Sequence, residues 1–414
     1  MALPSKLGRL AVKAQASSWG TAETTFASST YLEPEGLVLP ALVTEALRTD
    51  VFRPSFTEPE TVAGAKAGVE MSFSFPMHGW SLTSPSANPT VYHPDALLIE
   101  NALRGSTIVA TGYTTALAAG ASDTTTKYTN GAASTDWEGS AQLVPYASGR
   151  EVAWIRDIDT TTSPDSGTCF EVLAAHSSSG TMYGSLVSFL ATTQPGPLSL
   201  SWLGSGDDQV LTFFDGIVTK CTITLQAKKQ PKCDVTMRFL DWTAPGAGGG
   251  APAAYTYDYP QMPPVTGANG AYKTENASSD AAWRNFSSAV ITIDVTTSDS
   301  ECASSNQGAD SIVVTDRRVT VEVIEPYVES TRSFTDWSAV TPGTDGNELV
   351  LVANTTPGRA FAAIVPESVV LEQTNIQDRG GIIAVRRLFG CRPYSGDGGA
   401  GAGAGNSPFR IAFL

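Results

Sequence analysis

Residues 213–242 read FFDGIVTKCTITLQAKKQPKCDVTMRFLDW. Ile217, Cys221, Ile223 and Leu225 recur at period two, with Thr219, Thr222 and Thr224 among them. Val235, Met237 and Phe239 alternate with Asp234, Thr236 and Arg238. Such alternation puts one face of a strand on a core and the other in water, so the stretch reads as a half-buried antiparallel pair. Its centre, Lys228-Lys229-Gln230-Pro231-Lys232, is polar, basic and interrupted by proline, as a hairpin tip requires. A related pattern returns near the C-terminus: Phe214-Asp-Gly-Ile217-Val218 has a counterpart in Phe361-Ala-Ala-Ile364-Val365, and Arg238-Phe239 in Leu388-Phe389, at offsets of 147 and 150. Two readings fit this echo, namely two related β units or the likeness that any two apolar hairpins share.

The rest of the composition agrees with a β protein. The chain of 414 residues is long enough for two or three domains or one large all-β unit. Charged residues make up only 16%, while Gly, Ala, Ser and Thr abound, which favours short strands and loops over long amphipathic helices. Net charge is −15. It divides evenly, with 15 basic and 23 acidic residues in 1–245 and 11 and 18 in 246–414. An acidic protein is poorly suited to gripping phosphate backbones. It suits solubility, and equally a surface along which DNA slides without sticking.

Cys169, Cys221, Cys233, Cys302 and Cys391 form no CxxC or metal-type spacing, and all five read as reduced thiols of a protein made in the cytosol. The N-terminal MALPSKLGRLAVKAQASS has no continuous apolar core, so no secretory signal is expected. No run of about 18 apolar residues exists to span a membrane as a helix.

Along the chain, residues 1–36 read as a mobile or partner-docking arm. Residues 37–50, LVLPALVTEALRTD, are expected to hold a short helix after Pro40. Residues 71–75 alternate as a strand stopped by Pro76. A second helix is expected from Pro94, with Asp95 at its positive end, Ala96, Ile99 and Leu103 on one face, and Gly105 closing it. From 106 to 196 the chain is rich in Ser and Thr and reads as strands (168–174, 184–190) with long loops. Strand 199–203 then leads through the turn 204–208 into the hairpin. Pro245-Gly-Ala-Gly-Gly-Gly-Ala-Pro252 and Pro260-Gln-Met-Pro-Pro264 punctuate the chain most clearly. The expected division is therefore a first β unit at 37–244, a Gly/Pro-rich linker at 245–271 and a second β unit at 272–414. Strands in the second unit are expected at 289–295, 311–315, 319–324, 348–352, 361–365, 369–374 and 382–388. A loop insertion covers 395–406, and a last strand, 409–414, is expected on a sheet edge. Ten of the 11 basic residues after 245 are arginines, Lys273 being the exception, and this favours ordered cations at subunit interfaces.

No catalytic constellation emerges. His78, His93 and His176 lack ligand spacing, GxSxG and P-loop patterns are missing, and the glycine run at 399–405 is no phosphate loop, since no Lys-Ser/Thr and no expected helix follow it. Gly204-Ser-Gly-Asp-Asp208 and Asp157-Ile-Asp159 read as turns, since neither has the loop length of a calcium motif. Tyr255, Tyr257 and Tyr259 could stack on a sugar, though packing on the protein's own surface is the plainer reading. The expectation is no enzyme, no cofactor and no metal.

With these residues in place, the order of features resembles the major tail tube proteins of tailed bacteriophages, in particular the two-unit type of non-contractile, siphovirus-like tails. The likeness lies in Phe73–Pro76 followed by the helix at 94–104 and then the Phe-Asp-Gly-Ile-Val hairpin. The Gly/Pro linker, Val314-Thr-Asp-Arg-Arg-Val-Thr-Val-Glu-Val323 and Pro357-Gly-Arg-Ala-Phe-Ala-Ala-Ile-Val-Pro366 complete it. It covers about residues 60–80, 93–105 and 205–414. The resemblance implies an all-β fold of two tandem sandwich or half-barrel units, with one or two short helices and long loops. It also implies self-assembly into trimeric rings of six-fold appearance, or hexamers, stacked into the tube through which phage DNA leaves the capsid. The implied partners are a tape measure protein and a tail terminator, in a virion tail assembled in the host cytoplasm. Lys228, Lys229 and Lys232 at the hairpin tip, and Arg317, Arg318, Arg386 and Arg387, are the residues expected at contacts between subunits or rings. A capsid decoration or fibre protein and a β-rich carbohydrate-binding protein are the competing classes.

Overall fold

The computed structural model describes residues 9–16, 19–26, 31–37, 39–48, 61–66, 68–79, 94–108, 115–116, 125–127, 138–146, 149–161, 165–169, 181–182, 186–203, 210–243, 262–265, 270–275, 284–303, 305, 308–326, 347–379, 382–394 and 407–414. The fold is all-β with one helix among these residues. The strands are β1 (Arg9–Ala14), β2 (Tyr31–Leu32), β3 (Thr44–Arg48), β4 (Thr61–Lys66) and β5 (Val69–Pro76), followed by helix α1 (Pro94–Leu103). Next come β6 (Arg104–Ile108), β7 (Thr115–Ala116), β8 (Thr125–Lys127), β9 (Ala141–Tyr146), β10 (Gly149–Asp159), β11 (Ser166–Cys169), β12 (Thr181–Met182), β13 (Leu186–Leu190) and β14 (Leu198–Leu203). The long hairpin is β15 (Val210–Gln226) and β16 (Lys232–Trp242). The remainder is β17 (Gly270–Glu275), β18 (Ser288–Glu301), β19 (Ala309–Pro326), β20 (Asn347–Ala353), β21 (Phe361–Arg379), β22 (Ile382–Cys391) and β23 (Arg410–Phe413).

The hairpin forms in the register its alternation dictates, with Ile223 opposite Cys233 and Cys221 opposite Val235. The two thiols are thus diagonal neighbours, Sγ to Sγ 3.4 Å, and none of the five cysteines is in a disulfide. The turn closes on Lys228, whose φ of 67° is left-handed, with Lys229 N–H donating to Gln226 O at 3.0 Å.

Fifteen strands make one sheet. Its path runs β2-β1-β14-β15-β18-β19-β22-β21-β23-β13-β6, with β16 and β5 branching from β15, and β20 and β17 from β21. All of its ladders are antiparallel. The stretch 245–271 follows β16 and ends inside β17, and strands from either side of it pair directly, β15 with β18 and β13 with β23.

The two longest partner-switching strands act as corners. One edge of β15 pairs with β14 over residues 210–216 and then with β18 over 220–226, while its other edge keeps β16. One edge of β21 pairs with β23 over 361–364 and with β22 over 368–379, its other edge holding β20. Strands that change partner at a bend let a sheet fold over its own core. Both bends carry register shifts, at 198/200 against β15 and at 347/349 against β21. The sequence echo at 214 and 361 falls at the start of these two corners.

α1 fills the fork of the first corner. Ala96, Leu98, Ile99, Ala102 and Leu103 are buried against β15, β13 and β1. Where β15 has left β14 and not yet met β18, Val218 N–H would be orphaned, and it donates to Asn101 Oδ1 at 2.9 Å. Asn101 Nδ2 in turn donates to Gly196 O at 2.9 Å. At the bend Gly216 lies opposite Phe239, whose ring covers it; a Cβ there would stand 2.3 Å from two ring carbons.

Several expectations need correction. Residues 9–14 are no mobile arm, since β1 pairs with β14 over six residues and buries Leu10, Ala11 and Val12. The helix expected at 37–50 is replaced by strand β3, paired with β4. α1 ends one residue earlier than expected, on Leu103; Arg104 takes a left-handed φ of 81°, and it and Gly105 are already in β6. The linker's far end is core: Met262 and Val265 are buried, and Val265 exchanges hydrogen bonds with Lys228 N–H and Lys229 O. The separate strands expected at 311–315 and 319–324 are one, as are those at 361–365 and 369–374. β23 lies between β21 and β13 instead of on an edge. The turn 204–208, the tyrosines 255–259, the insertion 395–406 and His93 and His176 lie outside the described residues.

Three substitutions test the corner, one of them as a control. Gly216→Ala should cost about 1–3 kcal/mol by forcing Phe239 aside; Gly196→Ala, with nothing within 4 Å of its Cβ, should leave urea unfolding unchanged. Asn101→Leu should cost about 1–3 kcal/mol for each backbone group it orphans, read from the same unfolding curves.

Candidate functional site

The upper part of the sheet, β5-β16-β15-β18-β19-β22-β21, has one apolar and one polar face. Met71, Phe73 and Phe75, Val235 and Met237, Cys221 and Ile223, Ile291 and Ile293, and Val319 and Val321 all point into the core. The alternate residues form rows across the strands. One row is Ser74, Asp234, Thr222, Thr292 and Thr320; the next is Ser72, Thr236, Lys220, Asp294 and Arg318. Every one of these is exposed or half-exposed. Short hydroxyls and crossed charges give a solvated surface with few apolar atoms. Ser72 and Thr236 hydroxyls meet at 2.9 Å, and Lys220 Nζ lies 3.9 Å from Asp294 Oδ1. A shallow groove of about 370 Å³ opens here between Ser72, Ser74, Lys220, Thr222 and Asp234, beside Glu35.

Two edges of this sheet are only partly paired among the described residues. There β5 pairs with β16 alone, apart from the single bridge Glu35–Ser74. Beyond Ser368, the edge of β21 that held β20 meets no strand among the described residues. Leu371, 47% exposed, sits on that stretch. Away from that bridge, edge N–H and C=O groups that no described strand pairs can accept another chain's strand.

The cations expected at contacts are spread over the sheet. Lys228 and Lys229 are exposed at the hairpin tip. Lys232 is instead engaged within the chain, Nζ 3.2 Å from Glu35 Oε2. Arg386 on the polar face is held between Glu322 (2.7 Å) and Glu372 (3.1 Å), which keeps its guanidinium firmly charged. Arg387 points to the other face, buried, 3.6 Å from the fully buried Glu325. Arg317 is spent on the carbonyls of Ala191 and Thr193 at 3.1 and 3.3 Å, and burial beside Arg104 lowers its pKa. Arg318 lies exposed, across from Asp294.

Two buried polar clusters went unread in the sequence. His78, with no exposed side-chain surface, stands 3.6 Å from Glu33 Oε2 and 3.7 Å from Asp95 Oδ2, and its N–H donates to Asp95 at 2.8 Å. Asp95 also caps α1 by accepting Ala96 N–H. At the bend of β15, Asp215 takes φ 54° and accepts from Gln15 Nε2 (3.0 Å) and Gly20 N–H (2.8 Å), while its own N–H donates to Gln15 Oε1 (2.7 Å). This pins the chain after β1 to the hairpin. The only sequence signal was the Asp-Gly pair, which reads as a turn unless its long-range partner is known.

None of these groups forms a nucleophile with a base. Burial pushes the Cys391 thiol up to about 12, and burial next to Cys221 pushes Cys233 well above the usual thiol range, so neither supplies thiolate. Among the described residues no three His, Cys, Asp or Glu are grouped to hold a metal. Among the same residues no helix is long and apolar enough to cross a membrane. Comparison with protein-family models and with curated protein sequences returns no match.

Burial, and then the nearby Asp241, raise the pKa of Asp215, against the lowering pull of Gln15 and Gly20. Its folded pKa thus lies above the ordinary 3.8, so the folded state holds this proton more tightly than the unfolded chain. The contribution of Asp215 to stability is therefore greatest below that value and falls as pH rises through the raised pKa. Asp215→Asn keeps the acceptor and tolerates the left-handed backbone. Thermal unfolding should show the variant at least as stable as the parent at pH 7, with the parent gaining on it as pH drops towards 4.

Proposed function

We propose that the chain is a structural subunit that assembles with copies of itself into stacked rings, as a phage tail tube does, rather than a catalyst. The observation that carries this reading is the seven-strand upper sheet. One face is sealed by the core, the other is polar and exposed, and among the described residues neither edge is fully paired. A sheet built this way satisfies its edges by adding the same sheet from a neighbouring copy, and closed rings remove edges altogether. The uncovered face would then line or coat the ring. Short hydroxyls and internally paired charges suit a lumen, since they offer DNA no fixed cation to grip.

On this reading three chains, or six, close a ring, and rings stack into the conduit for DNA ejection. The tape measure protein inside the tube and the terminator at its end are the further partners, and the setting is the virion tail. Cofactors play no part in such a role.

Negative-stain electron microscopy of the concentrated protein provides the test. Hollow tubes or stacked rings with a regular axial repeat are the expected outcome. Isolated trimers that never stack would favour a decoration protein, and monomers under all conditions would end the assembly reading.

A further inference from the structure

The upper sheet is electrically polar along its strands. At one end the β15–β16 turn projects Lys228 and Lys229, both exposed, with no acidic partner among the described residues. Met77 N–H donates to Pro231 O and Met262 N–H to Met77 O. Asn354 Nδ2 donates to Pro263 O, which fastens the loop carrying exposed Arg359 to the same end. At the opposite end the β18–β19 hairpin extends past the last residue paired with β15, Asp294. Residues 297–316 contain Asp299, Glu301, Asp310 and Asp316 and no Lys or Arg. Asp299 is neutralised by Arg238 at 2.6 Å, whereas Glu301, Asp310 and Asp316 are exposed and meet no cation among the described residues. Val313, 37% exposed, adds an apolar contact to the acidic surface. The 14 residues of β18 place the two ends roughly 40 Å apart.

Opposite charges at opposite ends of one rigid sheet cannot meet within a molecule, but they meet when copies line up head to tail. We infer that the basic turn of one copy, Lys228 and Lys229 with Arg359 beside it, docks on the acidic β18–β19 hairpin of the next. The occupant of each surface is therefore a second copy of this chain. The contact rests on the self-assembly proposed above and gives it a direction: all copies point the same way along the axis. Lys232 takes no part, because Glu35 already holds it.

Reversal of charge tests this on the full chain, with far-ultraviolet circular dichroism confirming the fold. Lys228→Glu with Lys229→Glu, or Glu301→Lys with Asp310→Lys, should each weaken association at least roughly tenfold in sedimentation velocity. Combining the four changes should restore it. Association of the parent should also fall between about 50 and about 500 mM salt. Single-ended variants that associate like the parent, a four-fold variant that stays dissociated, or a parent that never self-associates would each overturn the contact. The outcomes separate the two proposals. Tubes that persist in the single-ended variants keep the tube and remove this contact, whereas linear, charge-dependent oligomers without tubes keep the contact and remove the tube.

Discussion

The structure depends on β15 having two partners along one edge. β14 takes residues 210–216 and β18 takes 220–226. Between them the backbone must turn without leaving a buried donor unpaired, because an unsatisfied amide costs about 1–3 kcal/mol. Asn101 meets that demand from the helix, and Gly216 lets the strand bend beneath Phe239. Seven residue pairs of β15 with β18 then join the sequence on either side of 245–271. Without this fork the polar upper sheet and the strands β14, β1 and β2 would be separate layers with nothing to hold α1 between them.

Period-two alternation made most strands legible. Residues 220–226, 232–239, 69–76 and 289–295 alternate cleanly because each presents one face to the core throughout. It failed where burial stops alternating. β15 from Val210 to Val218 is buried on both faces, and β23 entirely so, since each passes between layers. A short buried run such as Leu10-Ala-Val12 carries no period long enough to distinguish it from an arm. Residues 37–50 space their apolar side chains like a helix, yet Thr44–Arg48 pairs with β4, because a non-local partner outweighs local propensity. Strands 311–315 and 319–324 looked separate because Asp316, Arg317 and Arg318 break the pattern. The strand continues through them with its side chains in solvent or turned to neighbouring carbonyls.

The charged residues were legible as types but not as roles. Arg386 reads in sequence as a free interface cation; its carboxylates, Glu322 and Glu372, come from two other strands and appear only when β19, β22 and β21 are in register. Lys232 differs from Lys228 and Lys229 in the same way, by one carboxylate from a segment almost two hundred residues upstream. Composition gave the sign of the surface, and strand register decided which charges were spent internally.

That distinction bears on how an acidic chain can bind itself. With net charge −15, copies repel at long range, and only locally unbalanced groups can overcome this. Across the middle of the upper sheet the charges are largely cancelled: Lys220 by Asp294, Arg386 by Glu322 and Glu372, and Arg238 by Asp299. The imbalance is left at the two ends of the strands, positive at the hairpin turn and negative at the β18–β19 hairpin. In the proposed assembly, lateral neighbours would meet through backbone edges, which are indifferent to net charge, while axial neighbours would meet through opposite charges, which screen within about 8–10 Å at physiological salt. The two directions of growth in that proposal would thus rest on two different forces, and the axial one would be the more easily tuned by ionic strength.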